Sequence, residues 1–190
     1  MTPDKPDRSR PLRGEPVRQR VLDAAERLLR DGKAEFSMRD LAAEAGVSFA
    51  TPFNQFGSKA AIMHALSERR IVAMTDRFAA VPHPADVKAR VALAVTVAVA
   101  VMLEEPAVNR AVMGWMGSAA PVPGDALERS QGLWTLALGS VEGVDGRSTP
   151  NLAQHLALAF RGALSFWSAG EMSDEELRAA ALGVAKALLA

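Results

Sequence analysis

SMRDLAAEAGVSFATPFNQFGSKAAIMHAL, residues 37 to 66, is punctuated as two short helices joined by a tight turn and followed by a longer third helix. Ser37 is a good N-cap, and Asp40 three residues on makes a capping-box variant in which hydroxyl and carboxylate satisfy the free amides of a helix start. Met38, Leu41, Ala42 and Ala45 share one helical face, and Gly46 follows where the chain must leave through a left-handed residue. A helix is therefore predicted to end at about Ala45. Val47 is the lone apolar residue of the turn and is expected to fill the gap between helices. Ser48 can cap a second short helix carrying Ala50, Phe53 and Phe56, which completes a helix-turn-helix.

Pro52 complicates the second helix, because it lacks an amide and pushes Thr51 away from helical torsions. Either Pro52 occupies the first turn of a helix capped at Ser48, or Thr51 is itself the cap of a shorter helix.

The residues Ala45, Gly46, Val47 and Ser48, then Phe53, Asn54, Gln55 and Phe56, and finally Lys59 resemble the DNA-binding domain of the tetracycline-repressor (TetR) family of bacterial transcription regulators. In that family an Ala-Gly-Val-Ser turn leads into a recognition helix ending in an aromatic-x-His-Phe motif, with a lysine three residues later. The resemblance is specific over roughly residues 16 to 66 and architectural beyond them. Three positions depart from it. Phe53 stands where tyrosine is usual and loses a hydroxyl donor, Gln55 replaces a histidine and keeps an amide donor without a titratable charge, and Pro52 lies inside the recognition helix. The resemblance implies an all-α homodimer that binds a palindromic operator on double-stranded DNA and responds to a small-molecule effector, which shifts the separation of the two reading heads.

Composition agrees with a regulator of this kind. The 190 residues are 49% hydrophobic with no cysteine, which describes a globular chain with a sizeable core and excludes disulfides, thiolate zinc sites and thiol redox sensing. The net charge is zero, but residues 1 to 59 hold 11 Lys plus Arg against 9 Asp plus Glu, a balance of +2. Residues 1 to 14, with Pro3, Pro6, Pro11 and Gly14 among Lys5, Arg8, Arg10 and Arg13, read as a disordered basic arm, either a solvated tail or a segment touching phosphates or the minor groove. No apolar signal region opens the chain, and the run Val91 to Leu103 is too short to span a bilayer, so no membrane partner and a cytoplasmic location are expected.

Helical patterning continues on both sides of the motif. Pro16 suits the first turn of a helix to about Asp31, with Val17, Val21, Leu22, Ala25, Leu28 and Leu29 on one stripe. A fourth helix is predicted from Ser58 until Pro82 and Pro84 stop it. The Val/Ala-rich segment 85 to 105 is too long and too evenly apolar for a strand and reads as a buried helix. Pro106 separates it from a short helix holding Val112, Met113, Trp115 and Met116. A break at Pro121, Pro123 and Gly124 precedes a helix with Leu127, Trp134, Leu138 and Val141 on one side, and Gly143 and Gly146 mark the next loop. Thr149 and a capping box of Ser173 with Glu176 open the last two helices, which are apolar nearly all round and must bury more than one face. An isologous dimer contact is expected there, through Leu156, Ala159, Ala163, Phe166, Leu177, Ala181, Val184 and Leu188.

Large adaptable side chains mark a candidate effector pocket: Met102, Met113, Met116, Trp134, Phe160 and Trp167, with Arg110 and Arg161 as polar handles. Catalysis is not expected. His64, His83 and His155 form no metal-ligand pair, no nucleophile elbow occurs, and FGSKAA lacks the spacing and preceding strand of a phosphate loop, so no catalytic residue, metal or cofactor is assigned. The sequence thus divides into the arm 1–14, a helix-turn-helix domain 15–60 and a ligand-binding and dimerisation domain 61–190. Its expected function is a sequence-specific DNA-binding regulator, a repressor released by a ligand. The alternative is a helical ligand- or partner-binding protein with a degenerate reading head. Thr51 and Asn54 are the expected base readers, Asn54 for adenine and Thr51 or Phe49 for a thymine methyl, while Arg39, Ser48, Gln55 and Lys59 are expected on phosphates.

Overall fold

A computed structural model describes residues 15–118, 126–139 and 149–190. The described residues form helices and no strand: α1 (Glu15–Arg30), α2 (Met38–Ala45), α3 (Ala50–Phe56), α4 (Lys59–Ala79), α5 (Val87–Glu104), α6 (Pro106–Ser118), α7 (Ala126–Leu138), α8 (Thr149–Ser168) and α9 (Asp174–Leu188). The chain separates into two compact units that divide between Ile62 and Met63, within α4. The expected arm, the breaks at residues 121–124 and 143–146, and Val141 lie outside the described residues.

In the first unit, α1 buries Val21, Leu22, Ala25, Leu28 and Leu29 against a small core that includes Leu41, Ala42 and Ala45 of α2. The start of α2 is fixed as the sequence predicts. Asp40 N donates to Ser37 Oγ at 3.2 Å, and Ser37 N donates to Asp40 Oδ2 at 2.8 Å. Those bonds to Ser37 hold the Asp40 carboxyl below its ordinary pKa. Phe36 and Leu41 occupy the two positions of a hydrophobic staple and both are buried, a second restraint on the entry angle that the sequence reading had not used.

The second unit is built round Trp134, Trp167, Phe78, Leu138, Leu152, Leu177 and Val91, all essentially inaccessible to water. Helix α8 packs on α6, α7 and α9, and α5 packs on α7 and α9, so the Val/Ala helix is enclosed as its composition demands. Two arginines hold this bundle at helix ends. Arg90 donates to Ala137 O at 2.6 Å and Leu138 O at 2.9 Å, closing the last turn of α7 with carbonyls that have no helical partner. Gly139 then turns the chain at φ 70°, and a Cβ there would lie 3.1 Å from Arg90 Nη2. Arg110 plays the same part for α8: Nη1 donates to Trp167 O at 2.6 Å and Nη2 to Asp174 Oδ1 at 2.8 Å.

Asp174 also accepts the indole N–H of Trp167 at 2.8 Å, and the Arg110 guanidinium lies 4.4 Å from the ring centroid of Trp167. One residue on each of α6, α8 and α9 is therefore tied into a single charged clamp. The Trp167 and Arg110 bonds hold the Asp174 carboxyl below its ordinary value of 3.8. The stabilisation is present above that value and is lost as pH falls through the lower folded value. Asp174→Asn is thus expected to lower the urea midpoint at neutral pH and to flatten the loss of stability on acidification, measured by denaturation series across acid pH. An unchanged acid dependence would remove Asp174 from this role.

Candidate nucleic-acid interface and apolar cavity

Reversal between α2 and α3 rests on Gly46 in the left-handed region, φ 63° and ψ 41°. Its amide donates to Ala43 O at 3.1 Å and that of Val47 to Ala42 O at 3.0 Å, the paired bonds of a Schellman turn. Half-buried Val47 covers the turn. Phe49 already has helical torsions, φ −51° and ψ −38°, so Ser48 is the last non-helical residue, and Thr51 N donates to Ser48 O at 2.9 Å. Pro52 follows, buried, at the point where a helix makes no use of an amide because the Ser48 carbonyl is already taken by Thr51. Of the two readings of Pro52, the first-turn placement holds, but the expected Ser48 cap does not: the N-cap position falls on Phe49 with no side-chain cap bond, and the Ser48 hydroxyl turns to that of Thr51.

Placing Pro52 inward turns its neighbours outward. Phe49 is 55% exposed and Phe53 42%, with their rings edge to face at 5.5 Å, and Arg39 of α2 lies 5.7 Å from the Phe49 centroid. Arg39, Ser48 and Asn54 are exposed, and Thr51 and Gln55 half-buried. Ser48 and Thr51 join their hydroxyls at 2.8 Å. Asn54 makes no hydrogen bond among the described residues. Six of the seven sequence-derived DNA residues thus lie on α3, in the turn before it or in the first turn of α2.

Lys59 is differently engaged. Its ammonium donates to Ala34 O at 2.7 Å and sits 4.4 Å from the Phe36 centroid, and burial lowers its pKa with partial compensation from Glu35. It braces the loop before α2. Arg18, which entered the sequence reading only as one of the 11 Lys plus Arg of residues 1 to 59, donates from α1 to Gln55 O at 3.1 Å and covers the Phe56 ring at 4.2 Å, fixing the end of α3. Gly57 at φ 77° and Ser58, whose hydroxyl accepts from Ala61 N at 3.2 Å, then start α4.

The second unit holds a cavity of about 340 Å³, partly open to solvent. Met102, Met113, Met116, Trp134, Phe160 and Arg161 line it, together with residues the sequence reading did not single out, notably Arg70, Asn109, Met74, Ser67 and Ser130. Arg110 and Trp167 stand apart from the lining because they are committed to the clamp with Asp174. Asn109 is buried, accepting from Arg70 Nε at 2.8 Å and donating to Met102 O at 2.8 Å. No group of three or more His, Cys, Asp or Glu residues suited to a metal occurs among the described residues.

The residues expected at a dimer contact divide. Leu156, Ala163, Leu177 and Ala181 are buried inside the protomer's own core, where their stripe meets the neighbouring helices. Ala159 and Leu188 are half-buried, while Phe166 is 52% and Val184 40% exposed. The heptad-like stripe of α9 was legible, but its inward direction needed the packing partner.

Residues 21–66 match the family described as bacterial regulatory proteins, tetR family. Residues 21–66 form a TetR-family regulatory domain. Among solved structures, a TetR transcriptional regulator from Rhodococcus sp. RHA1 is similar at 19% identity and TM-score 0.74, over 93% of this chain and 98% of that one. A TetR-family regulator from Streptomyces coelicolor A3 matches at 19% identity and TM-score 0.52, over 96% and 99% of the two chains. The multidrug binding protein EbrR, complexed with imidazole, matches at 21% identity and TM-score 0.50, over 91% and 94%. At such identities these likenesses speak for the fold. No curated protein sequence matches the chain. TetR-family proteins are DNA-binding transcription regulators rather than enzymes, in line with the sequence reading. No single described helix is long and apolar enough to cross a membrane.

Because Lys59 spans α4 and the loop before α2, Lys59→Met is expected to lower the thermal midpoint of the free protein, by about 1 kcal/mol of stability for the lost hydrogen bond. An unchanged midpoint would leave Lys59 without a bracing role.

Proposed function

We propose that this TetR-family chain is a homodimeric repressor that reads a palindromic operator through α3 and is released by a small organic effector held in the cavity of the second unit. The observation that carries the reading is the outward face of α3, where an amide without a partner among the described residues, Asn54, stands beside two exposed rings. Asparagine can bond bidentately to adenine, and the Phe49 edge or the Thr51 methyl suits a thymine methyl. Arg39, Ser48 and the Gln55 amide are the phosphate contacts. Lys59, whose ammonium is bonded to Ala34 O, serves first to brace the loop before α2. A partner of this kind requires the cytoplasm.

The dimer contact follows the residues left uncovered on the last two helices. Leu158, Gly162 and Phe166 fall four apart on α8, and Ala180, Gly183, Val184 and Ala187 form a small-residue stripe on α9. Covering Phe166 and Val184 gains about 1.5–3 kcal/mol for each large side chain, counted twice by symmetry.

Selection of bound DNA from a random pool tests the reading: an inverted repeat is expected, and no enrichment would overturn it. On the recovered site, Asn54→Ala is expected to lose about 1–3 kcal/mol of discrimination at one base pair, while binding to random DNA stays unchanged. Equal losses on both would remove Asn54 from base reading. Val184→Arg is expected to give folded monomers in sedimentation, whereas Leu177→Arg should unfold the second unit, because that side chain is fully buried. A dimeric Val184→Arg protein would move the interface elsewhere.

A further inference from the structure

Arg161 is the one charged group of the cavity whose engagement does not account for it. It lies on α8, half-buried, with its guanidinium facing the cavity lined by Met102, Met113, Trp134 and Phe160. Among the described residues its sole hydrogen-bond acceptor is the Met113 thioether, with Nη1 to Sδ at 3.1 Å. A thioether is a weak acceptor, and a guanidinium carries five donors. Burial pulls the Arg161 pKa below its ordinary value with no offsetting acid. Three other arginines of the unit are matched with acids: Arg110 with Asp174, Arg77 with Glu104, and Arg129 with Glu68 at 3.7 Å.

The rest of the lining has one sign. Arg70 contributes a second guanidinium, Asn109, Ser67 and Ser130 contribute neutral polar groups, and no Asp or Glu lines the cavity among the described residues. In so apolar a wall a cationic guest would meet the Arg161 charge with no acid among the described lining residues to offset it, while a carboxylate would satisfy its fork. Trp134 and Phe160, edge to face at 5.5 Å, offer aromatic surface to the remainder of the guest.

We propose that the effector of this cavity is an organic anion: a monocarboxylate with an apolar, aromatic-compatible body, whose carboxylate is received by Arg161. This rests on the reading of the cavity as the effector site and specifies its chemistry.

Calorimetric titration of the full-length protein with three probes of one skeleton, phenylbutyrate, phenylbutanol and phenylbutylammonium, tests it. Phenylbutyrate is expected to bind roughly 10-fold or more tighter than the alcohol, as a charged hydrogen bond in a desolvated site would give. The ammonium is expected to show no binding. Arg161→Gln should remove that preference while leaving alcohol binding and helical circular dichroism unchanged, and Arg161→Lys should restore part of it. Equal or tighter binding of the alcohol or the ammonium, no binding of any probe, or an anion preference that survives in folded Arg161→Gln would each overturn the proposal. DNA release is scored separately on the same samples. Anion-selective binding without release would keep the ligand class and sink the effector-release reading alone.

Discussion

Proline tolerates a helix only where the helix has no need of its amide, and that constraint organises the DNA-reading unit. With Thr51 N already bonded to the Ser48 carbonyl, Pro52 loses nothing by lacking an amide of its own. Its ring is then free to be buried, which points Phe49, Phe53 and Asn54 the other way. The turn before it must be equally fixed for this register to hold. The left-handed Gly46, the returning amides of Gly46 and Val47, and the capping box at Ser37 supply that fixity from the α2 side. Arg18 and Lys59 supply it from α1 and α4.

The second unit uses the same device at larger scale. Its helices are apolar on several faces, so burial alone would let them slide along one another. Arg90 and Arg110 end that freedom by donating to carbonyls at the last turns of α7 and α8, the second of which, Trp167 O, also accepts from Gly170 N. Asp174 completes the second of these at the start of α9, a position where a carboxylate is also favoured by the helix dipole.

What the sequence disclosed follows from the range of each interaction. The boxes Ser37–Asp40 and Ser173–Glu176 and the turn at Gly46 depend on residues three or four apart, and all were legible. The bonds of Arg18, Lys59 and Arg110 join residues 37, 25 and 57 positions apart, and nothing local announces them. That is why Arg110 read as a pocket handle although it belongs to a clamp, and why Arg18 read as mere basic charge. The stripes of α8 and α9 were visible, but Leu177 and Val184 share a helix and differ in fate, since direction is set by the neighbour and not by the period. The cavity-lining methionines were legible as a group because wide adaptable side chains in several helices have few other uses, whereas Arg70 and Asn109 became visible only through their mutual bond.

The separation of inward from outward residues on α3 has an evolutionary side. Pro52 and Phe56 are held by packing and by Arg18, so exchange there would disturb the framework. Asn54 and Phe49 carry no comparable tie to the core and can be exchanged at little cost in stability. A helix arranged in this way lets the preferred DNA sequence drift by single substitutions while the scaffold stays constant, so duplicated copies of such a gene can acquire new targets without passing through an unfolded intermediate.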